Sequence, residues 1–223
     1  GFPHLFEKYE MDWTPIESLV RSLLDQMSKQ GIVRDLMTYK HAIQAVGPEN
    51  GALLRLFQEV VPSGKKWRQR AVDLYNTGLS VLSETGDVDG AFYLLAIMDK
   101  SGAECDAESI LCIINTLGNA NMTSSLQKFL IADLSDDDEA QIKAAAYGLD
   151  LGEIAEKSFF DARHYSAAIS CSLRGRDFAG ARQSFVQMRN AGMKPSSSSL
   201  QEIARAYATI ALQHEPKLVR GPR

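Results

Sequence analysis

The stretch from Tyr75 to Asp106, YNTGLSVLSETGDVDGAFYLLAIMDKSGAECD, returns ninety residues later as Tyr165 to Ser196, YSAAISCSLRGRDFAGARQSFVQMRNAGMKPS. The two align over 32 residues without a gap, and seven positions are identical: Tyr75/Tyr165, Ser80/Ser170, Asp87/Asp177, Gly90/Gly180, Ala91/Ala181, Met98/Met188 and Gly102/Gly192. Self-similarity at a fixed spacing marks an array of stacked units. In the first copy Tyr75, Leu79 and Leu82 fall at i, i+4 and i+7, and Ala91, Leu94, Leu95 and Met98 at i, i+3, i+4 and i+7. Each half therefore carries an apolar stripe along one helix face. Between them lies ETGDVDG, in which Gly86 suits the positive φ that ends a helix and Asp87 suits the cap of the next. The spacing predicts a helical hairpin. Lys100 and Gly102 then supply a cation near the negative helix end and a stop; Gly192 and Pro195 end the twin.

The same ending occurs a third time. Met27, Lys29, Gly31 and Asp35 precede Met98, Lys100, Gly102 and Asp106 by 71 residues, two units of about 35. The unit between opens on TYKHAI at 38–43, has Leu56, Phe57 and Val60 as its second stripe, and closes at Gly64. Units are thus expected at 1–35, 36–71, 72–106, 107–141, 162–196 and 197–223, the first and last of them incomplete. The fourth is degenerate, with Ile110, Ile113, Ile114 and Leu117 as its first stripe and Leu126, Phe129 and Leu130 as its second. Residues 142–161 break the period; their composition, with Gly148 and Gly152 as interruptions, predicts an irregular helical insert. No strand-like alternation appears, and no low-complexity tract exceeds the four serines at 196–199. Hairpins that cannot bury their stripes alone stack on their neighbours, so the expected fold is one all-α array curving into a superhelix with a concave surface.

Composition narrows the functional classes. The chain has 223 residues, 45% hydrophobic and 23% charged, enough to bury a core. No apolar run approaches the roughly 20 residues of a membrane helix, so no membrane insertion is expected. Cys105, Cys112 and Cys171 form no CxxC pair and leave an odd thiol in any disulfide scheme, the pattern of a reducing compartment. The chain opens on Gly1 and not Met, so the absence of a targeting segment carries no address. A net charge of −4 conceals an asymmetry: residues 104–161 hold twelve acids and three bases, whereas 162–196 hold six bases and one acid. A pI near 5.6 argues against phosphate gripping by the chain as a whole.

The unit T-Y-x-x-A-I … G-x-x-x-x-A … M … G-x-x-P/D, fullest in 72–106 and 162–196, resembles the pentatricopeptide repeat. The tetratricopeptide repeat is the alternative, but neither strong copy has its first-helix tryptophan. The resemblance implies a right-handed superhelical solenoid of helix-turn-helix repeats that reads single-stranded RNA one base per unit. It implies further that the reading pair is the residue after the tyrosine together with the last residue of the unit. Those pairs are Lys40 with Arg68, Asn76 with Asp106, Leu111 with Gln141, and Ser166 with Ser196. Asn76 with Asp106 looks like the family's pyrimidine-reading combination, an amide that meets a base edge assisted by a carboxylate. Leu111 cannot hydrogen-bond a base. The second motif position, often aliphatic in the family, is Asp73 in one copy and Arg163 in the other.

Other residues invite either of two readings. Asn76 and Asp106 also suit helix capping. KKWRQR, with Lys65, Lys66, Trp67, Arg68 and Arg70, reads as a loop between units offering phosphate contact and stacking, or as a solvated linker. Arg163, Arg174, Arg176, Arg182, Arg189 and Lys194 make a phosphate-facing stripe or ordinary surface charge. In SDDDE at 135–139, adjacent carboxylates diverge around a helix, so Ser135 is expected to cap a helix whose first turn is acidic, and no metal site is expected. His4, His41, His164 and His214 are dispersed, and Cys171 falls where a small core residue belongs. No phosphate loop, nucleophile–base pair or cofactor motif appears, so no enzyme activity and no cofactor are expected.

Within the resemblance, the favoured expectation is a non-catalytic RNA-contacting component of an organellar ribonucleoprotein, a mitochondrial ribosome or RNA-processing assembly, with protein partners and single-stranded or structured RNA. The mitochondrion is the expected site, the plastid its alternative. A sequence-specific RNA-binding factor for organellar transcripts and a pure protein–protein scaffold are the alternatives in function.

Overall fold

The structure, a computed structural model, describes residues 14–48, 51–60 and 68–214, the side chains at 58–60, 68–70, 206 and 209–214 excepted. Those residues form an all-α fold of twelve helices with no strand. They are α1 (Pro15–Lys29), α2 (Leu36–Val46), α3 (Ala52–Val60), α4 (Arg68–Thr85), α5 (Val88–Lys100), α6 (Ala107–Asn119), α7 (Thr123–Leu130), α8 (Glu139–Ala145), α9 (Leu151–Lys157), α10 (Ala162–Arg174), α11 (Phe178–Asn190) and α12 (Ser197–His214). Lys65, Lys66 and Trp67, together with residues 1–13, Gly64 and the end of the last unit, lie outside the described residues. Arg68 and Arg70, expected in a loop, belong to the first turn of α4.

Most of the identical letters of the two copies have the same structural task in both. Tyr75 and Tyr165, Ala91 and Ala181, and Met98 and Met188 are buried. Asp87 and Asp177 cap α5 and α11, each accepting from the N–H three residues on. That third residue must be glycine: a Cβ at Gly90 or Gly180 would come within 2.5 or 2.3 Å of the capping carboxylate. Gly102 and Gly192 end their helices at φ 72° and 74°. Ser170 Oγ donates to Glu202 on α12 at 2.6 Å.

First helices of successive hairpins pack side by side: α2 on α4, α4 on α6, α6 on α10 and α10 on α12. The insert does not interrupt this row. It forms α8 and α9 on the side of the second helices, where α8 packs on α5 and α7, and α9 packs on α7. At the crossing of α6 with α10 a Cβ on Gly118 would lie 2.3 Å from the Cβ of Cys171, so only glycine lets the two backbones close over the excursion. The degenerate unit is packed like its neighbours, with Ile113, Ile114, Leu117, Leu126 and Phe129 all buried.

Two details of the insert differ from expectation. Its helical pair starts at Glu139 and ends at Lys157, and only Gly148, at φ 78°, separates the helices; Gly152 lies inside α9. The cap of α8 is Asp138 and not Ser135, because Asp138 alone reaches the Ala140 N–H, at 3.0 Å, while Ser135 donates to Asp137. Asp138 also takes Lys128 Nζ at 3.0 Å. Burial alone would raise its pKa, but the hydrogen bonds it accepts and the Lys128 charge hold it below the usual carboxylate range.

At the N-terminal end a polar clamp supplements the apolar seam. Glu17, fully buried on α1, is gripped by Arg55 of α3 through Nε at 3.0 Å and Nη2 at 2.6 Å, and by Arg21 one turn along. Burial raises the Glu17 pKa and the two guanidinium groups lower it, with a net shift below its ordinary value.

Candidate nucleic-acid interface

Asn76 and Asp106, thirty residues apart, meet across the α4–α6 junction. Asp106 is the N-cap of α6: its Oδ1 accepts from the Glu108 N–H at 3.0 Å and the Ser109 N–H at 2.9 Å. The same oxygen accepts from Asn76 Nδ2 at 2.9 Å, and Ser109 Oγ donates to Asn76 Oδ1 at 2.6 Å. Both ends of the Asn76 amide are thereby engaged and its orientation is fixed, leaving one N–H and one lone pair of the side chain uncommitted. Burial raises the Asp106 pKa, while hydrogen bonds from Ser109, Asn76 and Glu108 more than offset it and leave the carboxyl below the ordinary range.

A cleft of about 590 Å³ opens over this junction between α2 and α4, with Lys40, Asp73, Asn76, Glu84, Asp106 and Glu108 in its wall. Four acids face one lysine, so the cleft repels phosphate and favours neutral hydrogen-bonding groups such as base edges. Asn76 itself is 8% exposed.

The second copy repeats the arrangement in hydroxyls. Ser196 precedes α12, and its Oγ accepts from the Ser199 N–H at 3.1 Å and lies 2.9 Å from Ser199 Oγ, which in turn donates to Ser166 Oγ of α10 at 2.9 Å. Each triad is one residue in a first helix, the residue opening the next first helix, and the third residue of that helix. Ser109 and Ser199 are the members that sequence reasoning missed. Their signal was present, since they also lie ninety residues apart, three positions beyond the aligned stretch.

The junction between them is built differently. Asp161 caps α10 in a reciprocal box with His164, whose Nδ1 accepts from the Asp161 N–H at 2.9 Å and whose Nε2 lies 2.8 Å from the Ala107 carbonyl. Nδ1 also lies 2.8 Å from Asp161 Oδ1, and the Nε2 contact ties α10 to the start of α6. Leu111 is half-buried, and Gln141, its expected partner, lies in α8, where its Oε1 accepts from the Leu151 N–H at 3.0 Å and its Nε2 reaches Asp150 at 3.3 Å.

The basic candidates divide likewise. Arg163 forks Asp161 through Nε and Nη2, both at 3.0 Å, and approaches Glu108 at 3.8 Å, so its charge is largely spent locally. Arg174 donates to Asn119 at 2.8 Å across the α6–α10 crossing. Arg176 is exposed and occupies the turn between α10 and α11 at φ 58°, the place held by Gly86 at φ 68° in the first copy. Among the described residues no group of three or more His, Cys, Asp or Glu is placed to hold a metal ion, and no helix is long and apolar enough to cross a membrane. Compared with models of known protein families and with curated proteins, the chain matches none.

Proposed function

We propose that this chain is a pentatricopeptide-type repeat protein, a right-handed superhelical solenoid acting without catalysis as an RNA-contacting component of an organellar ribonucleoprotein, with the mitochondrion as its compartment. The observation that carries the reading is the recurring triad: at matching places ninety residues apart, one polar side chain of a first helix is bonded by the third residue of the next, and in the first copy by its opening residue as well. Such a device presents an oriented hydrogen-bonding group at two junctions of a single row of helices, α4–α6 and α10–α12, with Leu111 in the corresponding place at the junction between them. Phosphate contact falls to the basic segment 162–196, where Arg174 and Arg176 are exposed, because the cleft beside Asn76 is acidic.

The test is anisotropy of a labelled single-stranded RNA with the whole chain at low and at physiological ionic strength. Binding that weakens with salt, and weakens further in an Arg174→Ala, Arg176→Ala double variant, supports the reading. No binding at low salt sinks it. A change of homopolymer preference in Asn76→Ser would establish the sequence-specific form. The acid lining of the cleft favours one other reading, a protein–protein scaffold, and a pull-down from organelle extract separates the two: partners of a scaffold persist after nuclease treatment.

A further inference from the structure

The insert builds a second cleft, which meets the Asn76 opening at Asp106. It measures about 760 Å³ and lies between the end of α5, the segment leading into α6, α9 and the residues that follow α9. Its wall contains Asp99, Glu104, Glu153, Ile154, Lys157 and Phe159. Asp106, Asp150 and Asp161 border it too, but each is committed to the cap of a helix. Asp99 and Glu104 cap nothing and are exposed. Phe159 is 82% exposed, a large aromatic surface left in water beside an acidic wall.

Lys157 is the single cation of the lining, and it shows what the cleft attracts. It pairs with Glu153, and its pKa is raised by that hydrogen bond and charge, with a further contribution from Asp99. Of the six acids of the lining, Glu153 is paired with Lys157 and Asp161 with Arg163, which leaves Asp99, Glu104, Asp106 and Asp150, so the field suits a second cation and disfavours nucleic acid phosphate. A guanidinium answers both halves of the wall: its plane stacks on an aromatic face while its edge forks a carboxylate. An ammonium, a strongly hydrated point charge, can approach either half but neither stacks flat on the ring nor forks the carboxylate.

We propose that this cleft docks an arginine-bearing segment of a protein partner, the arginine lying against Phe159 and paired with Asp99 or Glu104. The charge complementarity and the uncovered aromatic single out that occupant. The cleft shares Asp106 with the Asn76 opening, so such a partner would sit beside the Asn76 cleft.

The test uses the full chain and a fluorescein-labelled peptide of alternating arginine and alanine, with lysine and citrulline versions as comparators. The arginine peptide binds, the lysine peptide binds about threefold or more weakly, and the citrulline peptide does not bind. Phe159→Ala weakens the arginine peptide about fivefold and Phe159→Tyr leaves it unchanged. Asp99→Asn with Glu104→Gln weakens it about tenfold, and circular dichroism shows all the variants folded. Failure of the arginine peptide to bind, equal binding of arginine and lysine peptides, or indifference to Phe159→Ala would each overturn the proposal. Spermine binding with the same sensitivity to the variants would assign the cleft to small cations and overturn it as well.

Discussion

Asn76–Asp106–Ser109 and Ser166–Ser196–Ser199 occupy equivalent places, yet they are made of different chemistry. The first is an amide held between a carboxylate and a hydroxyl, the second a chain of three hydroxyls. The position is imposed by the architecture, because the opening residue of each first helix must satisfy orphan N–H groups and lies beside the preceding first helix. The identity of the side chains is left free, and that freedom is what a unit-by-unit reader would exploit. In the first triad the cap is charged and its amide partner is buried; in the second nothing is ionisable.

The largest expected difference lies in the caps. Asp106→Ala removes the helix cap and strands a buried amide N–H, a loss of about 2–3 kcal/mol. Ser196→Ala removes a neutral, exposed cap and costs about 1 kcal/mol. Denaturant titration of both variants measures the gap, and equal losses would break the comparison. The turns provide the next test. A Cβ at Gly86 would stand 2.7 Å from the Ala120 backbone nitrogen besides adopting φ 68°, so Gly86→Ala is expected to cost ~2 kcal/mol.

Acid should loosen the first triad and leave the second untouched. The folded Asp106 pKa lies below its ordinary value of 3.8, so its contribution is complete above that value and is lost as pH falls through the folded pKa. Wild type and Asp106→Asn should therefore differ most in stability near neutral pH and converge in acid, whereas wild type and Ser196→Ala should differ by a constant amount. The effect is smaller than that of Asp106→Ala, since a protonated carboxyl still accepts hydrogen bonds. Smallest of all, Arg176→Gly relieves a left-handed conformation and should stabilise the chain by up to ~1 kcal/mol, read from the same titrations.

Local rules were strong where the chain obeys its period. Gly86, Asp87, Gly102 and Gly192 announced turns and caps because each is fixed by the backbone conformation of a few neighbouring residues. The pairing of Asn76 with Asp106 was implied by the resemblance to the pentatricopeptide repeat and not by the period itself, which relates Asn76 to Ser166 and Asp106 to Ser196. The insert was harder. Ser135, Asp137 and Asp138 are all competent caps; Asp138 is the one that reaches the Ala140 N–H, and it also pairs with Lys128, ten residues back. Gly152 resembles a breaker in sequence, but the N–H three residues beyond Asp150 is satisfied by that side chain, so the helix begins ahead of the glycine. That α8 and α9 stand aside while α6 closes directly on α10 depends on the fit of Gly118 against Cys171, a contact between residues 53 positions apart that no periodicity reports. The clamp of Glu17 by Arg55 is non-local in the same way.

Photo-crosslinking of a thiouridine-substituted single-stranded RNA to the whole chain, with the adducts mapped by mass spectrometry, tests the central claim most directly. Contact along the row of first helices predicts adducts on α4 and α6 near Asn76, together with the basic segment 162–196, that are lost when unlabelled RNA competes. Adducts confined to the second-helix side around α8 and α9, or none above background, would contradict it.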